Sequence, residues 1–449
     1  MRILIAAHGY PPTHVMGGER EAERAAKWLA QHGHQVSVFA VESLSDPNRR
    51  IETSEQDGVT VYKAFLDISS EEQKTLENFY RNPWLQEVAE HILAENRFDL
   101  TYLISGYLIG KPVIDACHKL DIPVVTLLTE LFFLCARLNL IQATGALCTG
   151  PDSDEKCMRC LMEDKRRYRL LSQYATLLMD VFWGIARFLP FAKNKTSEVA
   201  RRRIELREAL DSVNCVISRS RFLINKFGEY SFDTKQYRFI RQGLFIPDNL
   251  KPSNDRPLSG VLRLGYLGQI KFHKGLDLII EALVSSKATT NQRVSLDIWG
   301  NELEAPDYVQ KLKRRAEAHS AIRWNGRYAG DKVWEVLSNI DVLVVPSRHY
   351  ENSPTVILEA YAMGIPVIAT DLGGMAELVE HEKSGLRFRL NDADDLRRQI
   401  ERLLDEPDLL DRLRAGIPRV KTIDEEMQEI VALYEEVLQS HRGSTSVSP

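Results

Sequence analysis

The sequence predicts an α/β protein made of two doubly wound domains. Its 449 residues are too many for one typical core and fit two domains of roughly 200 residues each. In both halves, short runs of Val, Ile and Leu alternate with amphipathic helical patterns, as in parallel sheets covered by helices. A stretch rich in Pro and Asn separates the two series. We expect an N-terminal domain over residues 1–245, a linker over 246–258, a C-terminal domain over 259–425, and a final helix with a disordered tail over 426–449.

Composition and charge exclude several classes of protein. Lys and Arg number 58 against 63 Asp and Glu, and the net charge of −5 argues against a nucleic-acid binder, whose domain is normally strongly basic. No apolar run reaches the length of about 18 residues that a membrane-spanning helix needs. The N-terminus has one charge and a short apolar run, which fits a first strand better than a signal peptide. We therefore expect a cytoplasmic protein, either free or peripheral on the inner face of the membrane.

The N-terminal domain opens with a predicted β-α-β unit. The apolar run Arg2–Ala7 indicates a central strand, and a helix at about residues 19–31 and a strand at 35–40 follow it. Open α/β sheets bind ligands at the carboxyl ends of such strands. Gly17 and Gly18 lie there, at the start of the helix, where they would let the backbone approach a ligand closely. A lone glycine pair fits a simple flexible loop at least as well.

Further strands complete the predicted sheet of this domain. Residues 98–104 and 124–128 are apolar runs separated by a helical pattern at about 108–119, which gives a second β-α-β unit. Residues 213–218 form the last strand that the sequence predicts here.

Four of the six cysteines lie close together in the sequence, and the last two form a Cys-x-x-Cys pair: Cys135, Cys148, Cys157 and Cys160. Without a signal peptide, clustered cysteines indicate metal or redox chemistry rather than a disulfide framework. Four thiolates could supply a closed tetrahedral site, for zinc ahead of iron–sulfur, that braces the irregular loop at residues 144–160. Four ordinary buried thiols fit the pattern equally well, because Cys is often buried.

The segment at residues 165–207 is the most basic part of the chain and contains an apolar, aromatic stretch. Such a mixture suits a segment that lies on an anionic membrane, with Trp183, Phe188 and Phe191 dipping inward. An internal helix with a solvated basic face also fits, and we prefer it because the apolar stripe suits a core equally well. The basic residues are Lys165, Arg166, Arg167, Arg169, Arg187, Lys193, Lys195, Arg201, Arg202, Arg203 and Arg207, against Asp180, Glu198 and Glu205.

The C-terminal domain begins with a predicted strand at Leu262–Leu267, a glycine-containing loop and a helix at Leu276–Val284. Lys274 lies in that loop, where a cation would meet a phosphate above the strand ends, although a solvated Lys fits the position too. Further strands are predicted at Val294–Trp299 and Ile322–Trp324. Helices are predicted at residues 331–338, 392–404, 407–414 and 425–438.

Residues 341–374 form another predicted β-α-β unit. An apolar strand at 343–345 leads into a loop and a helix, for which Ser353 suits the N-cap and Pro354 the first helical position. A glycine and a proline end the helix, and residues 367–369 form the next strand.

Two carboxylates share one crevice in this unit. Glu351 lies in the loop at the carboxyl end of the strand, and Glu359 lies about one and a half turns into the helix, facing the same crevice. Between them, the free N–H groups of Thr355 and its neighbours make a site for an anion such as a diphosphate. Carboxylates accept hydrogen bonds from ribose and hexose hydroxyls, so the arrangement suits a nucleotide sugar. An isolated Glu pair more often lies on a solvated helix face.

The Glu pair lies within PSRHYENSPTVILEAYAMGIPVIATDLGG, which resembles the signature of the family 4 glycosyltransferases. These are retaining enzymes of GT-B fold that need no catalytic metal. The resemblance implies two Rossmann-like doubly wound domains that face each other across a cleft. It also implies that Glu359 holds the ribose, Glu351 meets the donor sugar, and the loop through Ser353 and Thr355 holds the diphosphate.

Two other phrases are similar to the family. The opening YPP with its glycine pair implies that Gly17 and Gly18 face the donor diphosphate. The segment YLGQIKFHKG implies that Lys274 neutralises the diphosphate leaving group. Gln269 stands at the position of an Arg in the family, so less positive charge is available here.

A third phrase departs from the family. Aligning FLCAR places Thr129 and Glu130 where family members commonly have a His-Asp pair. Thr is neither a general base nor a cation at neutral pH, which puts any role that needs an imidazole in doubt. Either another polar residue substitutes, or the His is not essential, or this protein has weak or altered activity.

The sequence therefore predicts a retaining glycosyltransferase that moves a sugar from a nucleoside-diphosphate sugar to a hydroxyl of a glycan or glycolipid, in cell-surface polysaccharide or glycolipid synthesis. The resemblance also implies that catalysis requires no cofactor and that the last helix crosses back toward the N-terminal domain. The alternative is a catalytically inactive sugar-nucleotide-binding or scaffold protein of the same fold. Glu351 and Lys274 are the predicted catalytic residues, and the predicted donor-binding residues are Gly17, Gly18, Gln269, Lys274, Glu351, Ser353, Thr355 and Glu359.

Overall fold

A computed structural model of the chain contains two compact units. Unit 1 comprises Met1–Arg219, Leu223–Ile240 and Met427–Pro449, and unit 2 comprises Ser220–Phe222 and Arg241–Glu426. The structure describes residues 1–13, 17–43, 48–68, 75–250, 260–290 and 292–445. Most of the predicted linker at 246–258 therefore lies outside the described residues.

Strands and helices alternate along the chain. The strands are β1 Arg2–Ala7, β2 Gln35–Ser43, β3 Arg50–Gln56, β4 Val59–Leu66, β5 Leu100–Ile104, β6 Val124–Leu128, β7 Cys215–Ser218, β8 Tyr237–Phe239, β9 Leu262–Leu267, β10 Val294–Trp299, β11 Ile322–Trp324, β12 Val342–Val345, β13 Val367–Thr370 and β14 Gly385–Phe388. The helices are α1 Gly17–Gln31, α2 Pro83–Asn96, α3 Gly110–Lys119, α4 Asp154–Glu163, α5 Arg166–Tyr174, α6 Thr176–Ala186, α7 Pro190–Asp211, α8 Arg221–Glu229, α9 Leu276–Val284, α10 Lys287–Thr290, α11 Pro306–Ala316, α12 Val333–Leu337, α13 Thr355–Ala362, α14 Gly373–Leu378, α15 Ala393–Asp405, α16 Leu409–Ala415 and α17 Ile423–Thr445.

The sheet of unit 1 has eight strands in the order β3-β4-β2-β1-β5-β6-β7-β8. All neighbours pair in parallel except β3 and β4, which form an antiparallel hairpin. Both predicted β-α-β units are therefore present. Chain order reverses between β1 and β5, because β2 lies on one side of β1 and β5 on the other.

The sheet of unit 2 has six strands in the order β11-β10-β9-β12-β13-β14, and all of its pairs are parallel. Apolar side chains of β12 alternate between two buried clusters, with Val342 and Val344 in one and Leu343 and Val345 in the other. Helices therefore cover both faces, as the unbroken apolar strand predicts. Chain order reverses here between β9 and β12. The predicted fold class, two Rossmann-like doubly wound α/β domains, is confirmed.

Several local predictions need correction. The hairpin of β3 and β4 and the edge strand β8 were not predicted, so the strand at residues 213–218 is not the last of its sheet. Helix α13 begins at Thr355 with Pro354 as its N-cap and no side-chain capping bond, so Ser353 is not the cap. Helix α17 continues to Thr445, beyond the predicted end at residue 438. Within the described residues, no helix is both long and apolar enough to cross a membrane.

Candidate functional site

The predicted site of unit 2 lies where chain order reverses. Such reversals create a crevice at the carboxyl ends of the two central strands, because the following loops turn to opposite faces of the sheet. The loop after β9 carries Gln269 and Lys274, and the loop after β12 carries Ser347 and Glu351. The topology therefore brings together two loops that are more than 70 residues apart in the sequence.

Lys274 and Glu351 form an ion pair in this crevice. The ammonium of Lys274 donates to Oε1 of Glu351 at 2.7 Å, and the hydroxyl of Ser347 donates to the same oxygen at 2.9 Å. Burial acts to raise the pKa of Glu351, but the charges of Lys274 and His349 and these hydrogen bonds lower it to about 2. The carboxylate is therefore ionised at neutral pH, and Lys274 keeps further N–H donors for another partner.

Two glycines hold these loops at the required distance. Gly275 has a φ of +75°, and a Cβ there would lie 2.0 Å from the carbonyl oxygen of Pro346, so only glycine lets the Lys274 loop pack against the end of β12. A Cβ on Gly374 would lie 1.8 Å from the carbonyl oxygen of Asn352. The N–H of Gly374 also donates to the carbonyl of Glu351 at 2.9 Å. Both glycines thus fix the backbone beside the ion pair.

The start of α13 borders the same loop. Thr355, its first residue, is exposed, and Gln242 Nε2 donates to its hydroxyl at 3.4 Å. No side chain caps the helix, so its first N–H groups and the positive end of its dipole remain available to an anion. Among the described residues, the buried hydroxyl of Ser353 has no hydrogen-bond partner. Glu359 lies one turn beyond Thr355 on the same helix face, as positions i and i+4 do.

Two histidines that the sequence did not single out flank the ion pair. His349 Nε2 lies 3.5 Å from Glu351 Oε1, and the rings of His273 and His349 meet edge to face with 4.9 Å between centroids. Burial, with the charges of His349 and Lys274, lowers the pKa of His273 to about 4, and burial also lowers the pKa of His349. Both rings are therefore harder to protonate than a free imidazole. Their places in the two site loops, FHKG and SRHYEN, were the signal that could have identified them.

The other cations of these loops are engaged in supporting contacts. Arg348 forms a bidentate pair with Asp277, at 2.5 and 2.8 Å, and its guanidinium lies over the ring of Phe272. Lys271 lies 3.6 Å from Glu304. Gln269 is half-buried, and its backbone carbonyl accepts from the Tyr266 hydroxyl at 2.5 Å. Lys274 is thus the cation that lies against Glu351.

Unit 1 has a corresponding crevice at the carboxyl ends of β1, β5 and β6. Glu130, which follows β6, accepts from the hydroxyl of Ser105 at 2.7 Å and from the N–H of Gly106 at 3.1 Å. The Thr129 hydroxyl donates to its other oxygen. These contacts satisfy the carboxylate that stands where the family has an Asp.

His8, directly after β1, supplies an imidazole in this crevice that the sequence did not predict. Its Nε2 lies 3.1 Å from the buried carboxylate of Glu19. Burial opposes a charge on the ring, but the hydrogen bond to Glu19 and the charge of Glu130 raise the pKa of His8 above its usual value. A Cβ on Gly18 would lie 3.2 Å from His8 Cε1 and 3.9 Å from Thr129 Oγ1, so the ring and the hydroxyl both lie close to this glycine.

The two glycines at the start of α1 have different surroundings. Gly17 is the first residue of the helix, and a Cβ there would meet nothing within 4 Å among the described residues. Gly18 is the tight position, against His8. The role of both glycines in holding a donor diphosphate stays a prediction.

The four clustered cysteines come together in unit 1, but the predicted irregular loop is partly wrong, because Cys157 and Cys160 lie one turn apart on helix α4. Burial raises the pKa of the Cys157 thiol to about 12, and Cys135, Cys148 and Cys160 add to the increase, so the four thiols share one neighbourhood. Among the described residues, no group of three or more His, Cys, Asp or Glu side chains is arranged to hold a metal ion. The zinc site stays a prediction.

Comparisons with known proteins agree with this geometry. Residues 257–419 match the family described as "Glycosyl transferases group 1". A glycogen synthase of Mycobacterium tuberculosis is 28% identical over 195 residues, which cover 43% of this chain and 46% of that protein. The chain thus spans about half the length of this relative. An uncharacterized glycosyltransferase of Methanocaldococcus jannaschii is 28% identical over 409 residues, or 90% of this chain and 89% of that protein.

Solved structures show the same fold. HepE of Anabaena in complex with UDP superposes with a TM-score of 0.59 and 16% identity, covering 100% of both chains. Such low identity establishes the fold alone. Residues 257–419 of this chain are therefore similar to the glycosyl transferases group 1 domain, and the chain as a whole shares the fold of such structures. The Lys274–Glu351 pair and the start of α13 lie inside that domain.

Proposed function

We propose that the protein is a retaining glycosyltransferase that moves a sugar from a nucleoside-diphosphate sugar to a hydroxyl of a glycan or glycolipid. The observation that carries the proposal is the Lys274–Glu351 ion pair beside the uncapped start of α13, at the strand reversal of unit 2. Lys274 and the free N–H groups of α13 suit an anion, and the carboxylate of Glu351 accepts hydrogen bonds from hydroxyls.

The diphosphate binds to the first N–H groups of α13 and to Lys274. Helix N-termini favour anions because their N–H groups and dipole point toward the ligand. Lys274 uses one donor on Glu351 and has others for a phosphate oxygen. The unpartnered hydroxyl of Ser353 and the exposed Thr355 border this position. Gln269, in the loop after β9, contributes a neutral amide where a cation would give more stabilisation.

The two carboxylates bind the hydroxyl groups of the donor. Glu359 lies one turn into the helix whose first N–H groups bind phosphate, a position from which it accepts from the ribose hydroxyls. Glu351 lies nearer the strand end and accepts from the donor sugar. Its low pKa keeps it ionised throughout the physiological range, so it is an acceptor and a source of negative charge rather than a general acid.

The chain supplies positioning and charge for the chemical step. In the proposed reaction, the bond between the anomeric carbon and the diphosphate oxygen breaks, and the acceptor oxygen bonds to the same face of that carbon. The proton of the acceptor hydroxyl passes to the leaving phosphate oxygen. Lys274 and the α13 dipole stabilise the negative charge that develops on the diphosphate, which is the kind of stabilisation that contributes most in many enzymes.

The class of acceptor is proposed from the relatives. One is a glycogen synthase, and another is an uncharacterized glycosyltransferase of which the match covers 89%. HepE supports a nucleotide donor, because its structure contains UDP. The name of the first relative supports a glycan acceptor, whereas the glycolipid acceptor and the place in cell-surface synthesis are proposed from the sequence resemblance.

A panel of nucleoside-diphosphate sugars tests the proposal. A donor at 100 times its Kd should stabilise the folded protein by about 2.7 kcal/mol, which a thermal-shift assay detects. The Glu359→Ala variant should bind the free nucleoside diphosphate more weakly by about 1 to 3 kcal/mol, because ribose donors lose their acceptor. Glu380→Ala, which replaces an exposed carboxylate in the loop after α14 that pairs with Lys383, is the control.

The outcomes separate the candidate functions. Donor binding together with release of nucleoside diphosphate in the presence of an acceptor extract supports the transferase. Donor binding without turnover on any extract supports the inactive sugar-nucleotide-binding protein instead. If Glu359→Ala binds the nucleoside diphosphate as tightly as the wild type, the ribose assignment is wrong.

A further inference from the structure

Large apolar side chains are exposed in one short segment of unit 1. Of seventeen large apolar residues exposed in the described part of the chain, eleven fall within residues 170–191. Soluble monomers rarely expose contiguous apolar surface of this kind without an interaction partner. We call it the apolar face, and it consists of Leu170, Leu171, Tyr174, Leu177, Leu178, Val181, Phe182, Ile185, Phe188, Leu189 and Phe191.

Helix α6 is held firmly while it presents this face. Its inner residues Met179, Trp183 and Ala186 pack in a buried cluster with Met158 and Met162 of α4. The cluster also contains Ala192 and Val199 of α7. Trp183 is 5% exposed, so the interpretation that it dips into a membrane is wrong. The inner face anchors the helix, and the opposite face is fixed in an outward orientation.

The outer face of α6 is as apolar as its inner face. Leu177, Val181 and Ile185 follow one another at intervals of four residues, so they line one side of the helix. Their exposed fractions are 79, 63 and 65%. A helix that is apolar all round is normally buried all round. The preferred sequence interpretation, an internal helix with a solvated basic face, is therefore incomplete, because the solvated side of α6 is apolar.

Basic residues border the apolar face. Between residues 165 and 195, the one acidic side chain is Asp180, and it is bound to Arg159 at 2.6 Å. Arg187 lies over the ring of Phe188, 4.7 Å from its centroid. Within the described residues, Arg166 and Arg167 make no ion pair. The exposed basic residues of the border are Lys165, Arg166, Arg167, Arg169, Arg187, Lys193 and Lys195.

We propose that the apolar face docks on the surface of an anionic lipid bilayer, with α6 in the interfacial plane. Basic side chains beside an apolar helix face are the combination that binds anionic headgroups and the outer acyl region together. The eleven residues of α6 extend about 16 Å, against a hydrocarbon core of about 30 Å, so the helix lies in the interface and does not span it.

Charge argues against the main rival occupant, a second copy of this chain. A two-fold pairing places the same patch of both copies face to face. The basic border of one copy would then meet the basic border of the other, with Asp180 already engaged. Like charges held together in this way cost free energy, whereas an anionic lipid surface compensates the charges that no carboxylate of the chain engages, such as Arg166 and Arg167.

Sedimentation of the full chain with lipid vesicles tests this inference. We expect the wild type to pellet at low salt with vesicles of phosphatidylglycerol and phosphatidylcholine in equal parts, and to be released by added salt. Leu177→Gln, Leu178→Gln and Ile185→Gln combined should reduce the vesicle partition coefficient at least about tenfold, because these side chains bury apolar area in the bilayer. Because these three side chains are highly exposed, the variant should fold as the wild type does, and circular dichroism checks that it does.

A second variant tests the charges. Arg166→Gln with Arg167→Gln should lower binding to the anionic vesicles about fivefold for each charge removed near the surface. Arg169 is left intact because it also bonds Asp164 at 3.0 Å. The matched controls are Leu303→Gln and Arg389→Gln, which replace an apolar and a basic side chain exposed on unit 2, and both should bind as the wild type does.

Three results would overturn the inference. One is wild-type protein that stays in the supernatant with anionic vesicles at low salt. Another is equal binding to pure phosphatidylcholine, which removes the role of the basic border. The third is a dimer in the absence of lipid that the triple Gln variant abolishes, which assigns the face to a second copy. Because no donor or acceptor is present, the test does not depend on the proposed transferase activity.

Discussion

The two units have the same kind of crevice with different chemistry. In each, chain order reverses beside a central strand, and the loops after the strands bring polar side chains together. The crevice of unit 2 contains a lysine bound to a carboxylate and the uncapped start of a helix. The crevice of unit 1 contains two carboxylates, Glu19 and Glu130, and the imidazole of His8.

The difference shows that topology decides where a site forms and the loop residues decide what it binds. Lys274 and the start of α13 suit an anion, because both present N–H donors and positive charge. The carboxylates of unit 1 instead accept hydrogen bonds from their own neighbours, Glu130 from Ser105 and Gly106 and Glu19 from His8. The contrast therefore favours the crevice of unit 2 as the one that binds an anionic donor.

Replacing Lys274 in the crevice of unit 2 should have the largest effect, which is on activity. In Lys274→Gln, we expect kcat to fall by about 10²- to 10³-fold, since one positioned donor on a developing negative charge has that value in other enzymes. The variant also leaves Glu351 in the crevice without its main partner, so the pKa of Glu351 should rise from its value of about 2. Steady-state kinetics with the donor found by thermal shift measures the effect.

Lys271→Gln is the matched control, because Lys271 lies in the same loop but faces Glu304. It should retain most of its activity. Equal losses in the two variants would mean that general positive charge, and not the position of Lys274, acts on the diphosphate.

Replacing His8 of unit 1 should have a smaller effect, and that effect should be on stability. Its pKa is raised in the folded protein, so the charged ring stabilises the fold at pH below its ordinary value of about 6.5, and this contribution disappears as pH rises through the raised pKa. His8→Gln should therefore lower the Tm at pH 6 more than at pH 9. A loss of about 1 kcal/mol corresponds to a shift of about 2 to 4 °C for a domain of this size.

The exposed pair of His91 and Glu95 provides the control. His91→Gln should change Tm little at either pH, because both side chains are mostly in water and surface pairs contribute little. A pH-independent loss in His8→Gln would show that the ring acts through packing alone.

The sequence predicted most of the fold, because the buried strands are short apolar runs with clear ends. It missed β3, whose sequence RIETSEQ is polar and which is held by pairing with β4 at the sheet edge. A strand of that kind depends on its neighbour, and periodicity along the chain does not reveal it. The helical bounds differed mainly at caps, as for α13, where the fixed φ of Pro354 and the loop geometry replaced the expected side-chain cap.

The candidate site was predicted only in part, because several of its contacts also depend on residues that are distant in the sequence. Glu351 and Lys274 follow adjacent strands, so the sequence could place both in one crevice. Their direct bond depends on the tight contact of Gly275 with Pro346, which is a long-range property. His8 belongs to no local pattern and gains its partner through the packing of α1 on β1. For α6, composition showed an apolar helix but not which side the core would cover.

Loss of metal from the cysteine cluster should have the smallest effect on either crevice. We predict about one equivalent of zinc in protein purified anaerobically, because four thiolates fill a tetrahedral zinc site. Backbone N–H groups of Arg137 and Ala143 donate to the sulfurs of Cys135 and Cys160. Such donors stabilise a thiolate. Burial raises the pKa of Cys160 to about 11, so metal binding must displace protons, and zinc should be lost as the pH is lowered.

Elemental analysis of the wild type and of two matched cysteine variants tests whether the cluster binds metal. Cys157→Ser should lose the metal, whereas Cys215→Ser should keep it, because Cys215 is buried in strand β7 away from the cluster in the sequence. The thermal shift caused by a nucleoside diphosphate should be the same in both, since the cluster lies in unit 1 and the Lys274–Glu351 pair in unit 2. Less than about half an equivalent of zinc or iron in the wild type would identify the four side chains as ordinary thiols, because a closed four-thiolate site binds one metal tightly.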